Sequence, residues 1–433
     1  MKNRIFIFEF VSGGGFNKVK IPISLFCEGY GMLRSIITDF KTLNFEISTM
    51  IDYRICNLSD FLHVDELSIT GKEDNFLKKF KTFVKECEYS FIIAPESSNI
   101  LYKLTNIAKK SKTILLSTNL EGIRLGMSKL KTFYFFKENR APSPKTYSIP
   151  MRKKQLDSDF VLQKFKILKK PMVIKPEDGV GAESIYYFET QSQIKHFFQE
   201  FKHKVESGRK YILQEFIEGK DLSASLIGGP YIMESQVKNP LLLSINEQNV
   251  DIKNSEYFSE YYGGYTPTEN YQKTSNNLRL MLEKINFSEF SGYFGIDFIR
   301  SNDSNIYFIE INPRLTTSYI GLRNVINQNP AKLILDSKLN NLTYYEIKYF
   351  YHSLFSRIEM DYNEKIYSEG INEELIHKLV KEIPEFITPP ISLNNSNHFT
   401  CFVATKSKNL SESKERMHEI KRELKSIGFE NIK

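Results

Sequence analysis

Two runs of β-branched and aromatic residues, FGIDFIR and IYFIEINPR, flank the polar cluster Ser301-Asn302-Asp303-Ser304-Asn305 and make Phe294–Arg314 the most constrained stretch of the chain. Apolar runs bounded by such a cluster predict a β-hairpin. A hairpin symmetric about Asp303 and Ser304 sets Asp297 opposite Glu310. Strict alternation puts Ile306, Phe308, Glu310 and Asn312 on one face of the second strand. Two carboxylates and a carboxamide then converge among apolar residues, where like charges repel and burial is costly unless a cation compensates. All-oxygen donors suit a hard ion, and two carboxylates are typical of a Mg²⁺ that also holds nucleotide phosphates. An exposed amphipathic hairpin with a merely wet polar face would give the same pattern.

The hairpin sits late in a chain of 433 residues, long enough for two or three domains. The net charge of +7 is spread over 59 basic and 52 acidic residues, without the concentrated basic stripe of a nucleic-acid binder. Cys27, Cys56, Cys87 and Cys401 form no CxxC pair, which argues against a zinc site or disulfide framework and fits a reducing cytoplasm. The chain enters an apolar strand without a basic leader, so no signal peptide is expected. No apolar run approaches ~18 residues, so no membrane span is expected either. For the oligomeric state the default expectation is a homodimer.

Strand signals at residues 4–10, Phe45–Ile51, Ser90–Ala94 and Thr113–Ser117 alternate with helix signals at Met32–Phe40, Asn75–Cys87 and Asn99–Lys110. That alternation predicts a mostly parallel α/β domain over about residues 1–120. Ser12-Gly13-Gly14-Gly15 follows the first strand, but Lys18 stands where a dinucleotide fingerprint needs its third glycine, so NAD and FAD are rejected. Glu9 and Glu28 are unusual in their elements and are candidates for touching a substrate amine.

Further on, Lys129 heads an amphipathic helix. In PMVIKPEDGVGAESIYYF, a strand delivers Lys175 to a loop carrying Gly179 and Gly181, and a second strand follows. Such a hairpin can fold over polyphosphate, because glycines let backbone N–H groups approach the oxygens while the ammonium supplies point charge. YILQEFIEGKDLSAS then presents an extended edge with Gln214, Glu215 and Ile217, followed by Asp221. An exposed edge of this kind can pair with adenine, and the aspartate can accept from ribose hydroxyls. The tyrosines of EYFSEYYGGYTP, residues 256–267, read as a loop able to shape a substrate pocket. Residues 340–433 alternate strands with helices and read as a small α+β cap without visible chemistry.

Taken in order, Lys129, VIKPEDGVGAESI, LQEFIEGKDLSAS and GIDFIR…IYFIEINPR resemble the ATP-grasp superfamily of carboxylate–amine ligases over roughly residues 121–320. The resemblance implies an α/β fold, α+β overall. A Rossmann-like pre-ATP-grasp domain would cover 1–120, a two-lobed ATP-grasp domain 121–338, and a small α+β domain 339–433. It makes Lys129 and Lys175 phosphate ligands, Gly179 to Gly181 the phosphate lid, and Gln214, Glu215 and Ile217 the adenine edge. Asp221 becomes the ribose acid, and Asp297, Glu310 and Asn312 become ligands of Mg²⁺ or Mn²⁺. Arg314, with Lys175, takes the catalytic role of steadying an acyl phosphate. Ser128 stands where many members carry aspartate. FEFVSGGG and LFCEGYGML are more loosely similar to archaeal tyramine–glutamate ligases of methanofuran biosynthesis. The implied reaction uses ATP to join a carboxylate such as glutamate to a small, tyramine-like amine. Two other functions remain compatible with these motifs: adding an amino acid to an amino acid or peptide, and nucleotide-dependent regulation without turnover.

Overall fold

The alternating signals of the first 120 residues become a parallel sheet. The computed structural model describes residues 3–152, 154–179, 184–201, 205–233, 236–251, 259–363, 371–393 and 397–433. Strands β1 (Arg4–Glu9), β2 (Glu46–Asp52), β3 (Glu66–Thr70), β4 (Tyr89–Ile93) and β5 (Ile114–Leu115) pair in the order β3-β2-β1-β4-β5. The helices between them are α1 (Ile23–Lys41), α2 (Phe76–Glu86) and α3 (Ile100–Lys110). A central parallel strand is covered on both faces, which is why β1 reads as an unbroken apolar run. Phe6 and Phe8 lie edge-on to Phe80 of α2, with ring centroids 5.5 and 5.0 Å apart. Asn75 sets the start of α2 by accepting from the Lys78 N–H.

Helices α4 (Leu120–Gly126) and α5 (Lys129–Glu138) lead out of this domain, and Ser128 caps α5 by accepting from the Lys131 N–H. Strands β6 (Thr146–Ser148), β9 (Met172–Pro176), β10 (Tyr186–Phe188) and β11 (Tyr211–Glu215) form an antiparallel sheet in the order β10-β9-β11-β6. The short pair β7 (Met151–Arg152) and β8 (Gln155–Leu156) and helices α6 (Ser158–Leu168) and α7 (Gln191–His196) accompany it. Met172, Ile174 and Leu213 face Val161, Phe165 and Ile194 in one core. The period of two therefore turns Val173, Lys175 and Gln214 to the opposite face, where they line a cleft.

The second large sheet uses β12 (Gly219–Gly228), β15 (Leu241–Asp251), β16 (Glu260–Thr266), β17 (Gly292–Ser301) and β18 (Ile306–Asn312). It continues through β19 (Ser353–Tyr362), β20 (Phe386–Ile391), β21 (His398–Ala404) and β22 (Phe429–Glu430). Its order is β18-β17-β12-β15-β16-β19-β21-β20, with β22 pairing to β19. Residues 339–433, expected as a small separate unit, thus add their strands to the sheet that carries the hairpin, through Gly263–Thr266 against Ser353–Ser356. The stretch read as a tyrosine loop is in its described part the strand β16. The hairpin β13 (Tyr231–Met233) and β14 (Gln236–Lys238) and helices α8 (Tyr271–Leu282), α9 (Ser318–Val325), α10 (Pro330–Lys338), α11 (Glu373–Glu382) and α12 (Leu410–Ser426) complete the described elements. Among the described residues no helix is long and apolar enough to cross a membrane.

The β17–β18 hairpin differs from its sequence reading in one respect. Asp297 pairs with Glu310 as expected, but the register shifts there, so that Phe298 pairs with Phe308. One extra residue, Ile309, is accommodated as a β-bulge. Because a one-residue slip exchanges the faces of a strand, Ile306, Phe308 and Ile311 enter the core while Glu310 and Asn312 line the cleft. The shared face expected for Ile306, Phe308, Glu310 and Asn312 is corrected accordingly.

A buried ion pair fastens the parallel-sheet domain to the hairpin sheet. Asp39 of α1, 6% exposed, accepts from Arg323 Nη2 at 2.6 Å and from the Tyr319 hydroxyl at 2.7 Å, both on α9. Removing one partner of a buried pair strands the other charge. Arg323→Met should therefore lower stability by about 3 kcal/mol, read as a shift of the denaturant-unfolding midpoint.

Candidate active site

A cleft of about 750 Å³ runs between the two antiparallel sheets and the C-terminal edge of the parallel one. That volume is in the range of small-molecule sites. Every sequence-predicted site residue among the described ones lines it. The exception is Gly181, which lies outside the described residues.

One end of the cleft concentrates charge. Asp297 and Glu310 are cross-strand neighbours. Asn312 Nδ2 donates to Asp297 Oδ2 at 2.9 Å, and Gln248 Nε2 of β15 donates to Asp297 Oδ1 at 3.2 Å. Burial, and then the charge of Glu310, push Asp297 up to about 7. Burial also works against ionised Glu310, but Lys129 and Lys175 outweigh it and hold that carboxyl below its ordinary range. Lys129 Nζ stands 2.9 Å from Glu310 Oε2 and donates to the Gly179 carbonyl at 3.2 Å. Lys175, 6% exposed, is lowered to about 8 by burial, with Glu310 opposing. The acids come from the hairpin sheet and the lysines from α5 and the other sheet, so opposite charges meet across the cleft.

These donors fit a hard divalent cation. Among the described residues no three His, Cys, Asp or Glu side chains group to hold a metal. The set is instead two crowded carboxylates and a carboxamide, as expected where phosphate oxygens and water complete the shell.

The rest of the cleft is built from both sheets. Gln214 is buried and donates to Thr146 Oγ1 at 2.8 Å. The Glu215 side chain is turned away to Lys170, leaving its strand edge and Ile217 at the cleft. Asp221 is raised to about 6 by burial, with Lys175 opposing. Gly179 has φ +130°, a conformation other side chains rarely adopt. The base of its loop is tied down by Arg209, whose Nε donates to Asp178 Oδ1 at 3.0 Å.

The same cleft is also lined by Glu9, Glu28, Arg314 and a residue that the sequence reading missed, Arg357. Glu9 accepts from the Val11 and Ser12 N–H groups at 2.9 and 2.7 Å. A Cβ on Gly29 would lie 2.7 Å from its carboxyl carbon, so only glycine lets α1 pass there. Arg314 Nε donates to Glu96 Oε1 at 2.9 Å, and Glu96, 4% exposed, comes from the parallel-sheet domain. Arg357 belongs to β19, in the segment read as carrying no visible chemistry, and it lines the cleft wall. Gln248 was legible, since Ser244, Asn246 and Gln248 alternate along β15 as a polar face in an apolar strand. Glu96 and Arg357 had no local signal, because only long-range pairing brings them to the site.

An ATP-grasp domain, preceded by a pre-ATP-grasp domain, accounts for this fold and this arrangement of charge. Residues 127–318 match the ATP-grasp domain and residues 45–123 the pre-ATP-grasp domain that precedes it. Over 348 residues the chain is 27% identical to tyramine–L-glutamate ligase of Methanocaldococcus jannaschii, covering 79% of this chain and 92% of that one. The same enzyme of Methanocaldococcus fervens is 26% identical over 320 residues, 74% of this chain and 89% of that one. Among solved structures, an ATP-grasp superfamily protein from Archaeoglobus fulgidus aligns with TM-score 0.57 and 21% identity over 93% of this chain and 99% of its own. The biotin carboxylase domain of Hydrogenobacter thermophilus 2-oxoglutarate carboxylase, solved with MgADP and bicarbonate, aligns with TM-score 0.70 and 13% identity over 100% of this chain and 92% of its own. At these identities the solved structures establish the fold.

Glu9 gives the site a pH signature. Burial raises its carboxyl from 4.5 to about 7, although the Ser12 and Val11 N–H groups resist. Between those values the folded chain keeps a proton that the unfolded chain has released, so stability falls as pH rises through the window, by up to about 3 kcal/mol. Glu9→Gln removes that dependence. Unfolding free energies at pH 4.5 and 7.5 should show the wild type losing more than the variant; parallel losses would mean that Glu9 titrates normally.

Proposed function

We propose that this chain is an ATP-dependent ligase that joins a carboxylate to a small amine as an amide, releasing ADP and phosphate. The observation that carries this reading is the meeting of Asp297 and Glu310 with Lys129 and Lys175 across one cleft. Lysines and crowded acids together match a polyphosphate brought in with its cation: the ammonium groups take the phosphate charge, and the acids take the metal. Two relatives named tyramine–L-glutamate ligase support glutamate as the acid and a tyramine-like amine as the nucleophile.

In the proposed reaction a substrate carboxylate oxygen attacks the γ-phosphorus of ATP. The bond from that phosphorus to the bridging oxygen breaks, and ADP leaves with the electron pair. The amine nitrogen then attacks the acyl carbon, phosphate departs, and the nitrogen sheds a proton. Asp297, Glu310 and Asn312 would hold Mg²⁺ or Mn²⁺, which when bound neutralises phosphate charge. Lys175 and Lys129 draw the phosphates to the mouth of the Gly179 loop, and Arg314, fixed by Glu96, faces the acyl phosphate. Gln214, the Glu215–Ile217 edge and Asp221 take adenine and ribose. Glu9 and Glu28 line the cleft where the substrates bind. No side-chain nucleophile is required, since positioning and charge neutralisation supply most of the acceleration.

The test is ADP release from Mg·ATP with L-glutamate, with and without tyramine. Amine-dependent release with an amide of the summed mass is expected. Glu310→Gln combined with Asn312→Ala should lower that release by about 10³-fold or more. Wild-type rates in the double variant would remove these residues from the mechanism.

A further inference from the structure

We propose that Arg357 and Glu28 clamp the zwitterionic head group of an α-amino acid, so that the acid substrate presents a second, side-chain carboxylate to the phosphates. The inference rests on the ligase reading of the cleft and adds to it the residue that selects the acid.

Arg357 is only 7% exposed, yet it lines the cleft. Its Nε is buried without a hydrogen-bond partner. The nearest acids are off-line contacts: Glu359 Oε1 is 3.2 Å from Nε, and Glu28 Oε1 is 3.9 Å from Nη1. The Tyr262 ring lies 5.8 Å from the guanidinium carbon and completes the wall. A buried guanidinium whose donors are not matched by acceptors costs stability, and its planar fork fits a carboxylate in two-pronged fashion. Two other buried arginines of the described residues are matched in line: Arg323 has Asp39 at 2.6 Å and Arg314 has Glu96 at 2.9 Å. Arg357 has Glu359 at ion-pair distance in the cleft, yet its Nε has no aligned acceptor.

Glu28 determines which anion fits. Its Oε2 accepts from Thr317 Oγ1 at 2.8 Å, which fixes the carboxylate beside Arg357 and just before α9. A simple carboxylate on Arg357 would be repelled by Glu28, whereas an ammonium carried beside that carboxylate offsets the repulsion. Thr317 and Ser318 open α9, and a helix start favours a carboxylate nearby. Asn312 ends β18, and the short connection from there to α9 carries Arg314 and Thr317, so one segment of chain joins the two parts of the cleft.

The test compares L-glutamate with 4-aminobutanoate, which keeps the side-chain carboxylate and lacks the one assigned to Arg357. In amine-dependent ADP release, wild type should prefer glutamate by about 100-fold or more in kcat/KM. Arg357→Met should abolish that preference by raising the KM for glutamate, with the KM for ATP within about threefold. Arg357→Lys should recover only part of it. A preference unchanged in Arg357→Met, or a wild type that uses both acids equally, overturns the assignment. If no acid–amine pair drives ADP release, the ligase reading fails by itself, and calorimetric titration of glutamate in the presence of Mg²⁺ and a non-hydrolysable ATP analogue decides about Arg357. Binding that disappears in Arg357→Met upholds the clamp. Binding unaffected by the substitution, or absent from wild type, refutes it.

Discussion

The ion pair between Lys129 and Glu310, with Lys175 behind it, is the contact on which the site depends. Asp297 and Glu310 are neighbours on adjacent strands, and without opposing cations two ionised carboxylates there would repel at close range. Because burial also disfavours charged lysine, neither side of the cleft keeps its charge cheaply alone. Bringing α5 and β9 against β17 and β18 lets each set stabilise the other. A ligand carrying both negative and positive charge, phosphates with their cation, can take over these contacts with little loss.

The other layers hold this centre in register. The parallel-sheet domain reaches it through Glu96, which orients Arg314, and is fastened behind by Asp39 with Arg323 and Tyr319. Gly29 brings α1 close enough for Glu9 and Glu28 to share the cleft. On the far side, β19 extends the hairpin sheet and places Arg357 opposite Glu28. Residues separated by more than 300 positions thus meet in one pocket.

The β-bulge at Ile309 shows how backbone geometry decides chemistry. Strict alternation would either bury Glu310 with Phe308 or expose Phe308 with Glu310. One inserted residue gives the core its aromatic side chains and the cleft its acids. Bulges recur beside active sites because they re-aim a side chain without disturbing the strands around it.

The parallel domain, the Lys175 strand, the Gln214–Asp221 edge and the acid hairpin were all legible in the sequence. Each is encoded locally, by periodicity, turn residues and short spacing, and their order along the chain carries the family resemblance. The pairing of Asp297 with Glu310 was legible for the same reason, since a short polar turn sets register. The bulge was not, because accommodating one residue depends on what packs beneath the strand. Nor were Glu96 and Arg357: a charged residue in a loop or an alternating strand reads as solvated until a distant segment covers it. Local sequence determined which elements form and which chemistry they carry. Tertiary structure decided which charges are buried together, because burial and partnership are properties of segments remote in the chain.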